Sequence, residues 1–451
     1  MPVTLHALAR QLQDGRTSAL ALAEAALARA EDPAGEGARA FTVLHRQRAL
    51  ALAHASDTLR AAGIVRSPLE GIPVSIKDLF DVAGEVTCAG SVVLRDQPAA
   101  TRSARIVERL IAAGAVIVGR TNMTEFAFSG LGLNPHYGTP RNPWDRRTGR
   151  IPGGSSSGAA VAVTDAMCAV AIGTDTGGSV RIPSALCGLT GFKPTASRVP
   201  LDGALPLSRA LDSIGPLAAS VRCCAVADAI LAGDTPQPLV AAELDGARLA
   251  IPEQVVLDET DDAVARAFDA ACKRLARHGA SVRRLPIPAF ARLPALHARG
   301  TLATAEAWQM NRRLAETRAE AYDPRVLARM RPGAAMGAAD LLDLQAARRQ
   351  WIDEVGAAMR GVDALLMPTV PIVAPPIGPL EADDALYART NALVLRNPTL
   401  INFLDGCALS LPCHEPGSAP VGLMLAAPGG HDSRLLALGL AVETALAAAA
   451  R

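Results

Sequence analysis

Residues 165–179 read DAMCAVAIGTDTGGS, and the type of fold can be read from this stretch. A helix-then-strand pattern at 165–173 runs into a loop rich in Gly, Ser and Thr. The same order recurs at Ser103–Ala113, which ends at Gly114 and is followed by AVIVG, and again at 265–287. Gly71–Ile76 (GIPVSI), an apolar run bounded by Gly and Pro, reads as another short strand. Units of this kind are expected to wind around a buried sheet, mostly parallel or mixed.

Towards the N-terminus, residues 20–62 are Ala/Leu/Arg-rich and predict helix, and the segment before them predicts a further helical stretch, with Thr17 or Ser18 capping the second. Residues 301–360 read as long, charged helix closed by the apolar strand VDALLMP. Pro368–Pro379 carries five prolines and is expected to be irregular or extended. With no internal repeat and no linker, one α/β domain over 1–451 is favoured over two.

Composition narrows the function. Among 451 residues, 45 Lys+Arg face 44 Asp+Glu, which argues against a grip on nucleic acid or an anionic membrane through bulk charge. Eight scattered cysteines form no C-x-x-C pair, so neither a disulfide framework nor a zinc site follows, and no metal is expected. The N-terminal residues lack a basic stretch followed by a continuous apolar one, and no run of about 18 uncharged apolar residues occurs, so nothing is expected to span a membrane. A reducing cytoplasm is the expected home.

Lysine is rare: only Lys77, Lys193 and Lys273 occur, leaving 42 arginines. A buried lysine can release its proton and act as a base, whereas arginine cannot, so each lysine is a place to look for chemistry. Lys77 follows GIPVSI directly and is expected at the end of a buried strand.

Gly and Ser cluster at Gly153–Gly158 (GGSSSG) and Gly173–Ser179 (GTDTGGS). Neither carries the Gly-Lys-Ser/Thr ending of a phosphate loop, and no G-x-G-x-x-G is present. Gly154–Gly158 matches G-x-S-x-G, but a nucleophile elbow needs a strand before it and RRTGRIPG precedes instead. The eight histidines are isolated, so structural or surface roles are expected for them. Hydroxyl nucleophiles then need another base, and a neutral lysine in a dry site is the main alternative. The loop at 176–179 offers consecutive N–H groups from Thr176, Gly177, Gly178 and Ser179, which could turn toward one point as an oxyanion hole.

The motifs GIPVSIKDLFDVAG, PGGSSSGAAVAV and GTDTGGSVRIPSALCGLTGFKPT together resemble the amidase signature family of serine hydrolases. The likeness runs from the N-terminal helices through TNMTEFAFSG, NPWD, RVPLDGALPLSRALDSIGPLA and VDALLMPTVPIVAPPI to PVGLMLAAPGG. It implies the amidase signature fold, a large mixed central β-sheet covered by helices on both faces, with its core signature region at about 65–240. It also implies a Ser-cisSer-Lys triad: Ser179 as nucleophile, Ser155 as the bridging serine on a cis peptide, and Lys77 as terminal base. Asp175 and Arg181 would pair and brace the nucleophile loop, with Ser156 beside them. Ala127 matches a position whose backbone lines the substrate site, and Phe126, Phe128 and Leu131 could shape that pocket. Lys193, in GFKPT, matches a family segment outside the triad and is read as structural.

Two departures stand out. Ser157 replaces a frequent glycine, and KDLFD stands where KDNID is frequent, which puts transferred substrate preferences in doubt. No cofactor is implied. The implied reaction is hydrolysis of a small-molecule amide to acid plus ammonia or amine through an acyl-enzyme. The alternatives are carbamate, anilide or ester hydrolysis by the same triad, and glutamine hydrolysis as part of a tRNA-dependent amidotransferase. RNPTLINFLDGCALSLPC differs from what such an amidotransferase component would carry and favours a free-standing hydrolase, for which a homodimer is an open arrangement.

Overall fold

Eleven strands join in one sheet in the computed structural model, which describes residues 3–447. In chain order they are β1 (Phe41–Leu44), β2 (Pro73–Lys77), β3 (Val116–Thr121), β4 (Val170–Thr174), β5 (Thr190–Lys193), β6 (Ile214–Ala218), β7 (Arg248–Pro252), β8 (Ser281–Leu285), β9 (Ala364–Pro368), β10 (Cys407–Pro412) and β11 (Gly422–Ala427). Their spatial order is β1-β3-β2-β4-β6-β5-β10-β11-β9-β7-β8. The pairs β2–β3, β2–β4, β7–β8 and β7–β9 are parallel and the rest antiparallel, so the sheet is mixed. Strands β2, β3 and β4 are buried along their whole length, as expected of parallel strands covered on both faces. Residues 1–2 and 448–451 of the span expected to form one domain lie outside the described residues.

Several expected elements shift. The stretch 20–62 is broken: helix Ala19–Glu31, capped by Ser18, is followed by β1 and then helix Arg46–Ala61. The break falls at FTVL, aromatic and β-branched residues that fit a pleated surface, and β1 pairs with β3 along one border of the sheet. The helix before β4 ends at Thr164 rather than reaching into 165–169. Within the proline-rich 368–379, Pro368 ends β9, the chain is then irregular up to Pro376, and helix Ile377–Ala382 follows. The region 301–360 divides into helices Leu302–Thr317, Pro324–Met330 and Ala338–Ala358.

The helix that follows the first Gly/Ser cluster, Ser157–Thr164 (SGAAVAVT), is buried from Ser157 to Val163. Its small residues let it lie deep in the molecule. A Cβ on Gly158 would come within 2.2 Å of Ala40 O and 2.7 Å of Asn122 N, so only glycine admits that approach. This packing fixes the helix start, and with it the serine loop, over the C-terminal ends of β2 and β4.

Candidate active site

In open α/β sheets, ligand sites form beyond the carboxyl ends of the strands. Here β2 ends at Lys77 and the neighbouring parallel β4 ends at Thr174, in a register that sets Ile76 opposite Ile172. Lys77 is fully buried. Its Nζ donates to Ser155 Oγ at 2.7 Å and to Thr174 Oγ1 at 2.9 Å. The Gly154–Ser155 peptide is cis. Ser155 O accepts from Thr124 N at 3.0 Å, and Ser156 N donates to Ser179 O at 3.3 Å, which stitches the serine loop to the second Gly/Ser loop. Lys77 and Ser155 are in direct contact, and Ser179 is brought beside them by the backbone bond to Ser156, although Ser155 and Ser179 make no direct Oγ–Oγ hydrogen bond among the described residues.

Asp175 organises the loop that carries Ser179. Its carboxylate accepts from Gly178 N at 2.8 Å, Val180 N at 3.1 Å and Asn402 Nδ2 at 2.9 Å, and forms a fully buried pair with Arg181 at 2.8 and 3.0 Å. Burial alone would push this carboxyl up, but the Arg181 guanidinium and its hydrogen bonds hold it well below the usual carboxylate range. One consequence corrects the sequence expectation. The Gly178 N–H is held by Asp175, so it is not free to face a ligand, and Gly178 serves instead through a φ of +124° that lets the loop turn. Thr176, Gly177 and Ser179 make no backbone N–H bond within the described residues and remain open donors.

Electrostatics single out Lys77. Burial lowers its pKa from an ordinary 10.5 to about 7, against the opposing pull of Asp212 and Asp175. Asp212 is itself buried, accepting from Thr176 Oγ1 at 2.5 Å and from the N–H groups of Leu207 and Ser208. Burial pushes its carboxyl up to about 6 in spite of those bonds. Lys193 is also buried, and burial together with Arg181 lowers it to about 8, but its Nζ is tied to the carbonyls of Pro194 and Gly406. Lys273 is exposed and pairs with Asp269.

Ser179 opens onto a cavity of about 570 Å³. Ala127, Phe128, Leu211, His297, Leu395 and Phe403 make much of its wall, and Thr176 and Gly177 flank the serine. Two pocket expectations are not met. Phe126 stacks on Tyr322 at 5.4 Å and Leu131 packs with Ile182, Leu186 and Val394, so both belong to the core instead of the cavity wall. Phe126 and Ala127 both take positive φ, and the backbone thereby turns Ala127 and Phe128 toward the cavity while Phe126 points away. Ser157 starts its helix with its hydroxyl 3.4 Å from Asn122 O, clear of the lysine.

Sequence reasoning missed Thr174, Asp212, Arg329, Phe403 and the placement of His297. Thr174 lies inside the quoted GTDTGGS and Asp212 inside RALDSIGPLA, so both were in view without a pattern to mark them. His297 lines the cavity, packed edge-on to Phe403 at 5.1 Å, where burial lowers its pKa to about 4 and leaves it neutral at physiological pH. Among the described residues no cluster of His, Cys, Asp and Glu is arranged to hold a metal ion, and no helix is long and apolar enough to cross a membrane.

A family model described as Amidase matches residues 21–436. The 2-amino-5-chloromuconic acid deaminase of Comamonas testosteroni is 37% identical over 403 residues, which cover 88% of this chain and 86% of that protein. A glutamyl-tRNA(Gln) amidotransferase subunit from Chloroflexus aggregans is 33% identical over 478 residues, covering 98% of this chain and 96% of that one. A crystal structure of an amidase superposes with a TM-score of 0.87 at 35% identity, covering 98% of this chain and 99% of the other. The chain belongs to the amidase family of hydrolases acting on amide C–N bonds.

Proposed function

We propose that the chain hydrolyses the amide bond of a small molecule to a carboxylic acid plus ammonia or an amine, through an acyl-enzyme on Ser179. The observation that carries this reading is the 2.7 Å contact between Lys77 Nζ and Ser155 Oγ, in a buried site where the amine titrates near pH 7. A neutral amine keeps two N–H donors and one lone pair. One N–H stays on Thr174 Oγ1, and the lone pair accepts the Ser155 hydroxyl proton while Ser155 takes the proton of Ser179. The link between the two serines tightens when substrate is seated, as catalytic hydrogen bonds in ligand-free sites commonly do.

Ser179 Oγ then attacks the carbonyl, and the developing oxyanion is met by the open N–H groups of Thr176, Gly177 and Ser179. The Lys77 ammonium returns its proton through Ser155 to the leaving nitrogen. Water entering from the cavity attacks the ester by the same relay and releases the acid. Carbamates, anilides and esters fit the same steps. Balanced overall charge supports a small-molecule substrate over nucleic acid, the eight free cysteines support a cytoplasmic setting, and one sheet drawing strands from Phe41 to Ala427 supports a single domain. Light scattering distinguishes monomer from homodimer.

The test is a panel of amides, anilides, carbamates and esters, assayed with the purified chain and with Ser179→Ala; full activity in the variant contradicts the reading. A second reading, a glutamine-hydrolysing component of an amidotransferase, is favoured by the 33% identity to the Chloroflexus aggregans protein. Ammonia release from glutamine that requires a co-purifying partner would select it over a free-standing amidase.

A further inference from the structure

His297 caps the C-terminal end of helix Pro288–Leu296 and lines the cavity onto which Ser179 opens. Its backbone is held on both sides: the N–H donates to Leu293 O at 3.1 Å, and the carbonyl accepts from Gly300 N at 2.9 Å. Phe403 meets the imidazole edge-on, with the ring centres 5.1 Å apart and the planes at 86°. Backbone and aromatic neighbour together limit where the ring can point. Among the described residues neither ring nitrogen makes a hydrogen bond, and neither is sealed away from open space, in contrast to the buried and unpartnered His45 Nδ1 and His414 Nδ1.

The hydroxyls of the wall are already engaged. Ser129 Oγ donates to Asn391 Oδ1 at 3.0 Å and Thr176 Oγ1 to Asp212 at 2.5 Å. The hydroxyls of Thr301 and Thr304 bond to each other at 3.2 Å in a helix cap, and Thr399 Oγ1 donates to Gly177 O at 3.5 Å. Arg329 is charged, and its Nε is spent on Phe128 O at 2.9 Å. Apart from Ser179 itself, His297 is thus the one uncharged polar side chain of the wall whose polar atoms are unengaged among the described residues.

Burial lowers the pKa of His297 to about 4, so the ring is neutral at physiological pH and offers an anion no charge. A neutral imidazole carries one N–H donor and one acceptor nitrogen. A hydroxyl both donates and accepts, so it meets either ring nitrogen, whichever of the two carries the proton. Moving a polar group out of water is costly unless a partner waits for it, and a wall with a fixed polar group therefore favours a substrate that carries the complement. Phe128, Leu211, Leu395 and Phe403 give the hydrocarbon body of such a substrate a surface to pack on.

We propose that His297 is a specificity-determining residue whose imidazole hydrogen-bonds an uncharged hydroxyl on the substrate, separate from the amide under attack, so that the preferred substrates are hydroxylated aromatic or aliphatic amides. This rests on Ser179 being the point of attack in the same cavity.

The test measures binding by calorimetry to the full chain carrying Ser179→Ala, using two matched pairs of different reach: 4-hydroxybenzamide against benzamide, and 6-hydroxyhexanamide against hexanamide. In at least one pair the hydroxylated amide binds more tightly by about tenfold, the size expected for one neutral hydrogen bond. Adding His297→Phe brings the members of that pair within about twofold of each other, and His297→Gln, which keeps a donor and an acceptor, retains part of the preference. Melting temperatures of the variants separate this from unfolding. Equal binding within both pairs, absence of binding by both hydroxylated amides, or a preference that survives His297→Phe overturns the proposal. Turnover by the chain with Ser179 intact is scored separately: a hydroxyl preference without cleavage of any amide contradicts the hydrolase reading, whereas cleavage without the preference overturns only the part given to His297.

Discussion

The hydroxyl of Thr176 donates to Oδ1 of Asp212 at 2.5 Å, joining the loop that carries Ser179 to a segment 36 residues further along. Asp212 is also the strongest charge opposing the depression of the Lys77 pKa. One buried carboxyl group therefore both holds the loop that carries Ser179 and opposes the release of the amine's proton. Asp212→Asn removes the anion, so Lys77 titrates lower and the acid limb of the rate profile moves to lower pH. The rate maximum also falls, because the tie to Thr176 weakens. A pH–rate profile checks this, and a limb that stays put or moves upward contradicts it.

The profile of the unaltered chain follows from the sign of the shift. A general base works in its unprotonated form, so kcat/KM rises as pH increases through about 7 and then levels. Below that point the rate falls by about tenfold per pH unit. An amine with the ordinary lysine pKa would place the rise near 10.5 instead. Lys77→Arg keeps the charge and cannot accept the proton, so turnover falls by several orders of magnitude while the folded state is assessed by circular dichroism.

Thr174→Val keeps the β-branched shape of a strand residue and removes one partner of Lys77 Nζ. A buried polar group left without its partner costs about 1–3 kcal/mol. A drop in kcat of about 10- to 100-fold is expected, with KM nearly unchanged, since Thr174 orients the amine and is not in the cavity wall. Steady-state kinetics decide the matter, and an unchanged kcat would deny Thr174 any part in orienting the amine.

Much of this site was legible because its parts are short and local. Lys77, Ser155 and Ser179 each stand in a motif of a few residues, and the strands that lead to Lys77 and Ser179 are plain apolar runs. The rest depends on distant segments meeting. Asp212 reaches Thr176 from a loop, and Phe403 and Arg329 reach the cavity from helices in the last third of the chain. Arg329 was further hidden by composition, since it is one of 42 arginines while lysine draws the eye by scarcity. Strand β1 escaped because four residues between alanine-rich helices give no period to read, and its place comes from pairing with β3. Gly178 was misread for a physical reason: sequence shows that its N–H exists, but not that Asp175 has already taken it.

The Asp175–Arg181 pair carries stability as well as loop geometry. Both side chains are fully buried, and Arg181 also donates to Asn402 Oδ1 and Pro398 O. Arg181→Met leaves the Asp175 carboxylate without its cation, a loss of about 3–5 kcal/mol. Urea unfolding reads this as a lower midpoint with little change in slope. A loss below about 1 kcal/mol would mean the pair is no stronger than one at the surface.

The proposed chemistry turns on a covalent acyl intermediate at Ser179, formed with Lys77 driving the step. Intact-protein mass spectrometry after rapid acid quench of a slow substrate, such as an aryl ester, looks for that intermediate itself. The expected result is a mass gain equal to the acyl group, mapped by peptide analysis to Ser179, absent in Ser179→Ala and strongly slowed in Lys77→Met. An adduct of the same size and rate in Ser179→Ala, or one mapped to Ser155, contradicts it.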